Sequence, residues 1–203
     1  LGEGVSLSEV TDRVRRALGV ETRIVPMSDD PVRTKIETAD GEVLEFQEYF
    51  VRRRHEDEVA RVWFEGAESA RPAPGVLDAI SSAETVIVCP SNPAVSIGPI
   101  LAVPGIRESL AARRDRVVAI SPIVRGAALK GPADRMLPAI GAKASASGVA
   151  ALYADFAGMF VIDHRDSAEA QAVEGMDVEV LIAETIMDSP ATAERLAKEI
   201  LAR

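Results

Sequence analysis

The stretch VIVCPSNPAVSIGP, residues 86–99, places Ser91, Asn92 and Ser96 among prolines directly after a short apolar run of strand-forming residues. Hydroxyl and amide side chains offer neutral hydrogen bonds, small residues let a ligand approach the backbone, and the free N–H groups at the start of a following helix suit a phosphate. A second loop of this kind follows VVAI, where Ser121 and Pro122 precede Lys130 and Gly131. Two readings stand side by side: a pair of ligand-holding loops, or ordinary turn chemistry, since Ser, Asn and Pro are common turn formers.

The segment MSDDPVRTKI, residues 27–36, is the other polar constellation. Asp29 and Asp30 are suited to a cation or a substrate hydroxyl and Arg33 to a phosphate, while a tight Asx turn with exposed acids accounts for the same residues. His55 and His164 lie far apart without zinc-ligand spacing, and no Cys–His nucleophilic pair is evident. Asp163-His164, at a strand end, reads either as catalytic or as a solvated end. No Walker loop and no GxGxxG fingerprint occurs.

The elements that must position these residues follow from periodicity. Ser6 and Glu9 form a capping-box pattern before Leu7, Val10, Val14 and Leu18, which keep helical spacing until Gly19. TRIVPMS, VRTKIET, the start of GEVLEFQEYFVRRR, and VARVWFEG read as strands. ESARPAPG reads as a short linker. From residue 75 the rhythm becomes regular, with the strands TVIVCP, RVVAISPIV, GMFVIDH and DVEVLIAETIM separated by helical segments and a closing helix SPATAERLAKEILAR. Strands without polar alternation, each followed by a helix, predict a doubly wound, mostly parallel α/β sheet covered on both faces. In such sheets ligands bind beyond the carboxyl ends of the strands.

Composition narrows the classes. The 203 residues are 47 % hydrophobic and 27 % charged, an ordinary globular balance. A net charge of −9 argues against a general nucleic-acid binder, and the basic cluster VRRRHEDE reads as a solvated turn. No run approaches a membrane span and no signal-peptide pattern opens the chain, so a cytoplasmic protein with no membrane partner is expected. The single cysteine, Cys89, is expected as a small buried residue. Residue 1 is Leu, and the chain opens directly on a capped helix, as if cut upstream.

MSDDPVRT, FQEYFV, CPSNPAVSIGPILAVPGIRESL and SPIVRGAALKGPADRML, in this order, resemble the 2-phospho-L-lactate transferase (CofD/FbiA) family of coenzyme F420 biosynthesis over essentially the whole chain. The resemblance implies transfer of a phospholactyl or phosphoenolpyruvyl group from a guanosine diphosphate-activated donor to the deazaflavin Fo, with release of GMP and with magnesium assisting. No protein nucleophile is then required, and no catalytic residue is assigned. It implies that Ser91, Asn92, Pro93 and Ser96 hold the donor while Gly98 shapes the following helix start, and that Ser121, Lys130, Gly131 and Asp134 form the neighbouring wall. Ser28, Asp29, Arg33 and Thr34 match a family motif without an assigned ligand. Residues 1–72 are expected as an irregular α+β portion on the substrate side and 73–203 as the βαβ nucleotide-binding portion of one integrated domain. The family's glycine-rich first strand–loop–helix and the acidic stretch that looks like the magnesium site have no counterpart here, so the magnesium ligands are expected outside the chain. A homodimer is expected from the resemblance alone. A nucleotide-sugar-binding regulator of the related YvcK/gluconeogenesis-factor type is the alternative.

Overall fold

The computed structural model describes residues 4–203. Ser6 accepts a hydrogen bond from the Glu9 N–H and starts α1 (Leu7–Ala17). The apolar stripe of α1 faces solvent, with Leu7, Val14 and Leu18 all exposed. What holds the helix start is polar: the Ser8 N–H and hydroxyl both donate to Asp29 Oδ1 at 2.7 Å.

Three strands follow, β1 (Arg33–Thr38), β2 (Val43–Glu45) and β3 (Val59–Glu65), in an antiparallel sheet of order β2-β1-β3. Ile36, Leu44 and Val59 cluster with Tyr49, and Ala94 and Met136, from the second part of the chain, complete that cluster. The strand expected at TRIVPMS is absent apart from a single bridge from Ser28 to Pro72. The expected linker at 68–75 is instead a clasp. Ser28 Oγ donates to the Arg71 carbonyl at 2.6 Å, the Arg71 N–H donates to Asp30 Oδ2 at 2.9 Å, and the Ala73 N–H reaches the Met27 carbonyl at 3.0 Å. Backbone groups engaged in this way leave neither segment free to pair as a strand or to swing as a linker.

The regular part runs α2 (Val76–Ser82), β4 (Val86–Val88), α3 (Gly98–Leu101), α4 (Ile106–Ala111), β5 (Val117–Ile120), a hairpin of β6 (Ile123–Val124) and β7 (Ala127–Ala128), α5 (Ala133–Met136), α6 (Ala146–Tyr153), β8 (Met159–Asp163), α7 (Ala170–Glu174), β9 (Glu179–Ala183) and α8 (Pro190–Leu201). The α/β architecture expected from the alternation is the one observed: β4, β5, β8 and β9 form a parallel sheet in that order. Period-two alternation divides the sheet between two cores. Val117, Ala119, Phe160 and Ile162 pack against Ile106 and Leu110 of α4, Val149 and Tyr153 of α6, and Val173 of α7. Val118, Ile120, Val161, Leu181 and Ala183 face the other way, onto Leu196 and Ile200 of α8.

Two expectations change at β4. It is paired on one side only among the described residues, and Val86, Ile87 and Val88 are half-buried rather than enclosed. Cys89, expected to be buried, is exposed for the same reason. After β4 the chain makes a wide π-helical turn, Pro93–Ile97, that leads straight into α3. Gly98 sits at that junction against β3, where an added Cβ would lie 2.7 Å from Phe64 Cζ and 2.8 Å from the Pro93 carbonyl oxygen. The phenyl ring can shift, whereas the backbone carbonyl cannot without opening the turn. Gly98→Ala is therefore expected to destabilise the fold by about 1–3 kcal/mol, seen as a lowered midpoint in urea unfolding; an unchanged midpoint would show that the turn tolerates the methyl group.

Candidate functional site

A cavity of about 840 Å³ opens at the carboxyl ends of the parallel strands. Pro90, Ser91 and Asn92 reach it from the end of β4, Ser121 and Pro122 from β5, and Thr185, Ile186, Met187 and Asp188 from β9. Ala128 to Ala133, which joins the β6–β7 hairpin to α5, lines the cavity as well, as do Phe46 and Phe50 after β2.

The polar groups on these loops divide into those consumed by the fold and those left over. Asn92 Oδ1 accepts the Ala94 N–H at 2.9 Å and its carbonyl accepts from Ser96 and Ile97, so the residue caps the π-helical turn. Its amide Nδ2 lies 3.5 Å from Met136 Sδ. Ser121 is buried, its hydroxyl donating to the Ile123 carbonyl at 2.9 Å and accepting the Ile123 N–H at 3.2 Å. The side-chain hydroxyls of Ser91 and Ser96 make no hydrogen bond among the described residues, and both residues line the cavity half-buried. Lys130 is the one basic side chain in the lining and forms no ion pair among the described residues; Asp188 is the one acid. The Lys130 loop turns at Gly131, whose φ of +71° favours glycine although no atom crowds the place a Cβ would take.

Two buried carboxylates anchor the loops from behind. Asp163, at the end of β8, is fully buried. Its Oδ1 accepts the Arg165 N–H at 3.0 Å and pairs with Arg165 Nη1 at 3.1 Å, while its Oδ2 accepts both the N–H and the hydroxyl of Thr185 at 3.1 Å. Burial works against its charge, yet the hydrogen bonds from Arg165 and Thr185 and the Arg165 charge outweigh it and hold the carboxyl below the ordinary aspartate range. Asp166 accepts the Arg125 N–H with both oxygens, at 2.8 and 3.0 Å, and so fixes the left-handed Arg125-Gly126 turn of the hairpin. Its burial pushes the carboxyl up, against the pull of that N–H and with help from the charges of Glu169 and Asp163.

Of the residues singled out from sequence, Ser91, Asn92, Ser96, Ser121, Lys130 and Gly131 meet around this cavity. Pro93 and Gly98 face a separate groove, beside Phe64 and Tyr153 on the far side of the turn. Asp134 directly follows the lining residue Ala133 without lining the cavity itself. Ser28 and Asp29 are engaged in the clasp and the α1 cap described above, and Arg33 and Thr34 pair with Glu65 and Phe64 of β3. His55 touches Arg135, its Nδ1 2.9 Å from Nη2, whereas His164 lies 3.5 Å from Asp163. Asp163, His164 and Glu184 can bring ligand atoms within 4.8 Å of one another. Both oxygens of Asp163 are already taken, and Arg165 Nη2 lies 3.6 Å from Glu184, so the guanidinium occupies the role a cation would have. Sequence reasoning missed Thr185 to Asp188, although the strand-end rule applied to β9 points to them. It also missed Phe46 and Phe50, although both lie in FQEYFV, one of the segments that carry the family resemblance.

The ties from Asp163 predict a pH signature. A folded pKa held below the unfolded value contributes stability that is present above the unfolded pKa, about 3.9, and is lost as pH falls through the folded value. Asp163→Asn, which turns an amide N–H₂ toward donors on one side, is expected to cost about 1–3 kcal/mol at pH 7 and progressively less in acid. Urea unfolding at pH 7 and pH 3 tests this, and an equal loss at both would show that the charge is immaterial.

Residues 2–194 match the family model described as 2-phospho-L-lactate transferase CofD. The 2-phospho-L-lactate transferase of Methanosarcina mazei is 40 % identical over 199 residues, 98 % of this chain and 65 % of the relative. That of Methanocaldococcus jannaschii is 40 % identical over 99 % of this chain and 64 % of its own length. The phosphoenolpyruvate transferase of Kitasatospora aureofaciens is 42 % identical, again over 64 % of its length. The chain thus spans just under two thirds of the curated relatives it matches. A crystal structure of a UPF0052 family member from Bacillus halodurans shares the fold, with a TM-score of 0.66 at 16 % identity over 94 % of this chain and 64 % of that one. The family match runs through both sheets and through every loop that lines the cavity, and the chain belongs to the CofD family of 2-phospho-L-lactate transferases.

Proposed function

We propose that the strand-end cavity binds a guanosine diphosphate-activated donor and serves the transfer of its phospholactyl or phosphoenolpyruvyl group to the terminal ribityl hydroxyl of Fo, giving F420-0 or dehydro-F420-0 and GMP in coenzyme F420 biosynthesis. The observation that carries this reading is the pair of hydroxyls, Ser91 and Ser96, that stay unengaged among the described residues, in one cavity with Lys130, which forms no ion pair among them. Neutral donors beside one exposed cation suit the two charges of a diphosphate diester. The relatives' names, 2-phospho-L-lactate transferase and phosphoenolpyruvate transferase, support the group transferred. The relatives' names give no support to the regulatory alternative.

In this reaction the acceptor hydroxyl forms a new O–P bond at the phosphorus that carries the lactyl or enolpyruvyl oxygen. The bond from that phosphorus to the bridging oxygen breaks, GMP leaves with the electron pair, and the hydroxyl proton is released. Positioning and charge stabilisation supply most of the rate in such transfers. The residues present suit that division: Ser91 and Ser96 orient non-bridging oxygens, Lys130 offsets the charge that builds on the leaving phosphate, and Met187 and Leu129 at the rim exclude water. Magnesium, when bound, would neutralise the diphosphate. Asp188, with its Oδ1 held 3.1 Å from the Thr192 hydroxyl, is the one carboxylate that the described lining offers it. One carboxylate falls short of a dedicated site, and phosphate oxygens and water commonly complete magnesium coordination.

Calorimetric titration of the chain with GDP in magnesium, and then with Fo, tests the proposal. Both are expected to bind, and Lys130→Ala is expected to weaken GDP by about tenfold, the scale of one hydrogen bond to a charged group at a partly exposed position, with a larger effect at low salt. A chain that binds neither compound would remove the reading, and wild-type GDP affinity in Lys130→Ala would remove Lys130 from the diphosphate.

A further inference from the structure

Phe46 and Phe50 are the two aromatic side chains of a cavity lining that otherwise mixes aliphatic residues such as Val95, Leu129 and Ile186 with Ser91, Ser96 and Lys130. Phe46 and Phe50 stand with ring centroids 5.5 Å apart and planes tilted by 31°. Phe46 leans on the small core of the antiparallel sheet, whereas Phe50 belongs to none of the hydrophobic clusters and is 39 % exposed. Burying an aromatic ring is worth considerable free energy, and its π-face favours another flat ring over water.

Phe50 has a second ring neighbour. The His55 ring packs against it at 5.2 Å and 34°, and Arg135 Nη2 approaches His55 Nδ1 at 2.9 Å. The guanidinium can only donate, so Nδ1 is the acceptor in this contact. Arg135 belongs to α5, the helix that continues from the Lys130–Ala133 lining. His55 and Arg54 also adopt left-handed backbone conformations, with φ of +47° and +50°, which non-glycine residues keep only where their surroundings enforce it. The π-helical turn Glu48–Arg52 carries Phe50 itself. A strained turn and an imidazole that Arg135 in turn contacts thus flank one exposed phenyl ring of the cavity lining.

We propose that Phe50, backed by Phe46 and His55, is a stacking platform for a planar heteroaromatic ring, so that this wall selects a ring while the strand-end loops select phosphate. The inference rests on the proposed function, which offers two such rings: the guanine of the donor and the tricyclic ring of the acceptor. The phosphate-facing groups are the same for either. Ring stacking on an aromatic side chain is sequence-tolerant and substantial, so its loss reads as a large change in affinity for one compound alone.

The test is calorimetric titration of GDP and of Fo against the wild-type chain, Phe50→Leu and Phe50→Trp, with thermal midpoints measured alongside. Phe50→Leu is expected to weaken one of the two compounds by about fivefold or more, leaving the other and the midpoint unchanged, while Phe50→Trp retains the affinity that Phe50→Leu loses. Loss confined to Fo places the acceptor ring on the wall; loss confined to GDP places the guanine there. Equal loss of both, or of neither, overturns the platform while GDP and Fo binding by the wild-type chain still upholds the proposed function. Failure of the wild-type chain to bind either compound would remove the function, and the platform with it.

Discussion

A parallel sheet ends all of its strands on one side, and the cavity of this protein depends on that constraint. β4, β5, β8 and β9 lie side by side in register, so the loops after β4, β5 and β9 converge although their sequences are separated by tens of residues. The helices that return the chain to the opposite end pack on one face, with α8 closing the other. Everything polar at the site is therefore an extension of an apolar framework whose geometry is set by strand pairing.

Convergence alone would leave the loops free to collapse into the cavity. Buried polar groups prevent this by fixing the loops to their neighbours. Asp163 ties the end of β8 to the segment that begins at Thr185, Asp166 ties the hairpin turn at Arg125, and Ser121 and Asn92 close their own turns. A buried carboxylate tolerates its desolvation only when several donors surround it, and Asp163 has four from Arg165 and Thr185. Such groups act at a distance from any ligand, through the backbone they hold.

The smaller antiparallel sheet contributes in another way. Its core is completed by Ala94 and Met136, which come from the turn after β4 and from α5, so the two parts share apolar surface directly beside the cavity. This contact brings Phe46 and Phe50 into one lining with the serine-bearing loops. Nothing in the spacing of these two aromatic residues marks them as cavity lining. Likewise MSDDPVRT looks rich in chemistry, but Ser28, Asp29 and Asp30 are engaged with Arg71 and Ser8 in holding α1 and the loop at residues 71–73. Cys89, part of an apolar run, is nevertheless exposed because it stands just past β4, an edge strand whose own residues are only half-buried.

Local rules of periodicity and capping by themselves determined the alternation of β4, β5, β8 and β9 with helices, the parallel class of their sheet, and the strand ends at which Ser91, Asn92 and Ser121 lie, whereas RVVAISPIV, expected as one strand, divides after Ile120 into β5 and the β6–β7 hairpin. Those features depend on near neighbours in the chain, which the sequence displays directly. Only the tertiary structure decided which polar groups remain for a ligand. The hydroxyls of Ser121 and Ser91 are chemically alike, yet one is spent on the Ile123 backbone and the other is not. It also decided that two aromatic rings share their cavity and that Pro93 and Gly98 turn away. Hydrogen-bond partners and the facing of side chains across a cavity are set by packing between distant segments, and one-dimensional spacing carries no measure of that distance.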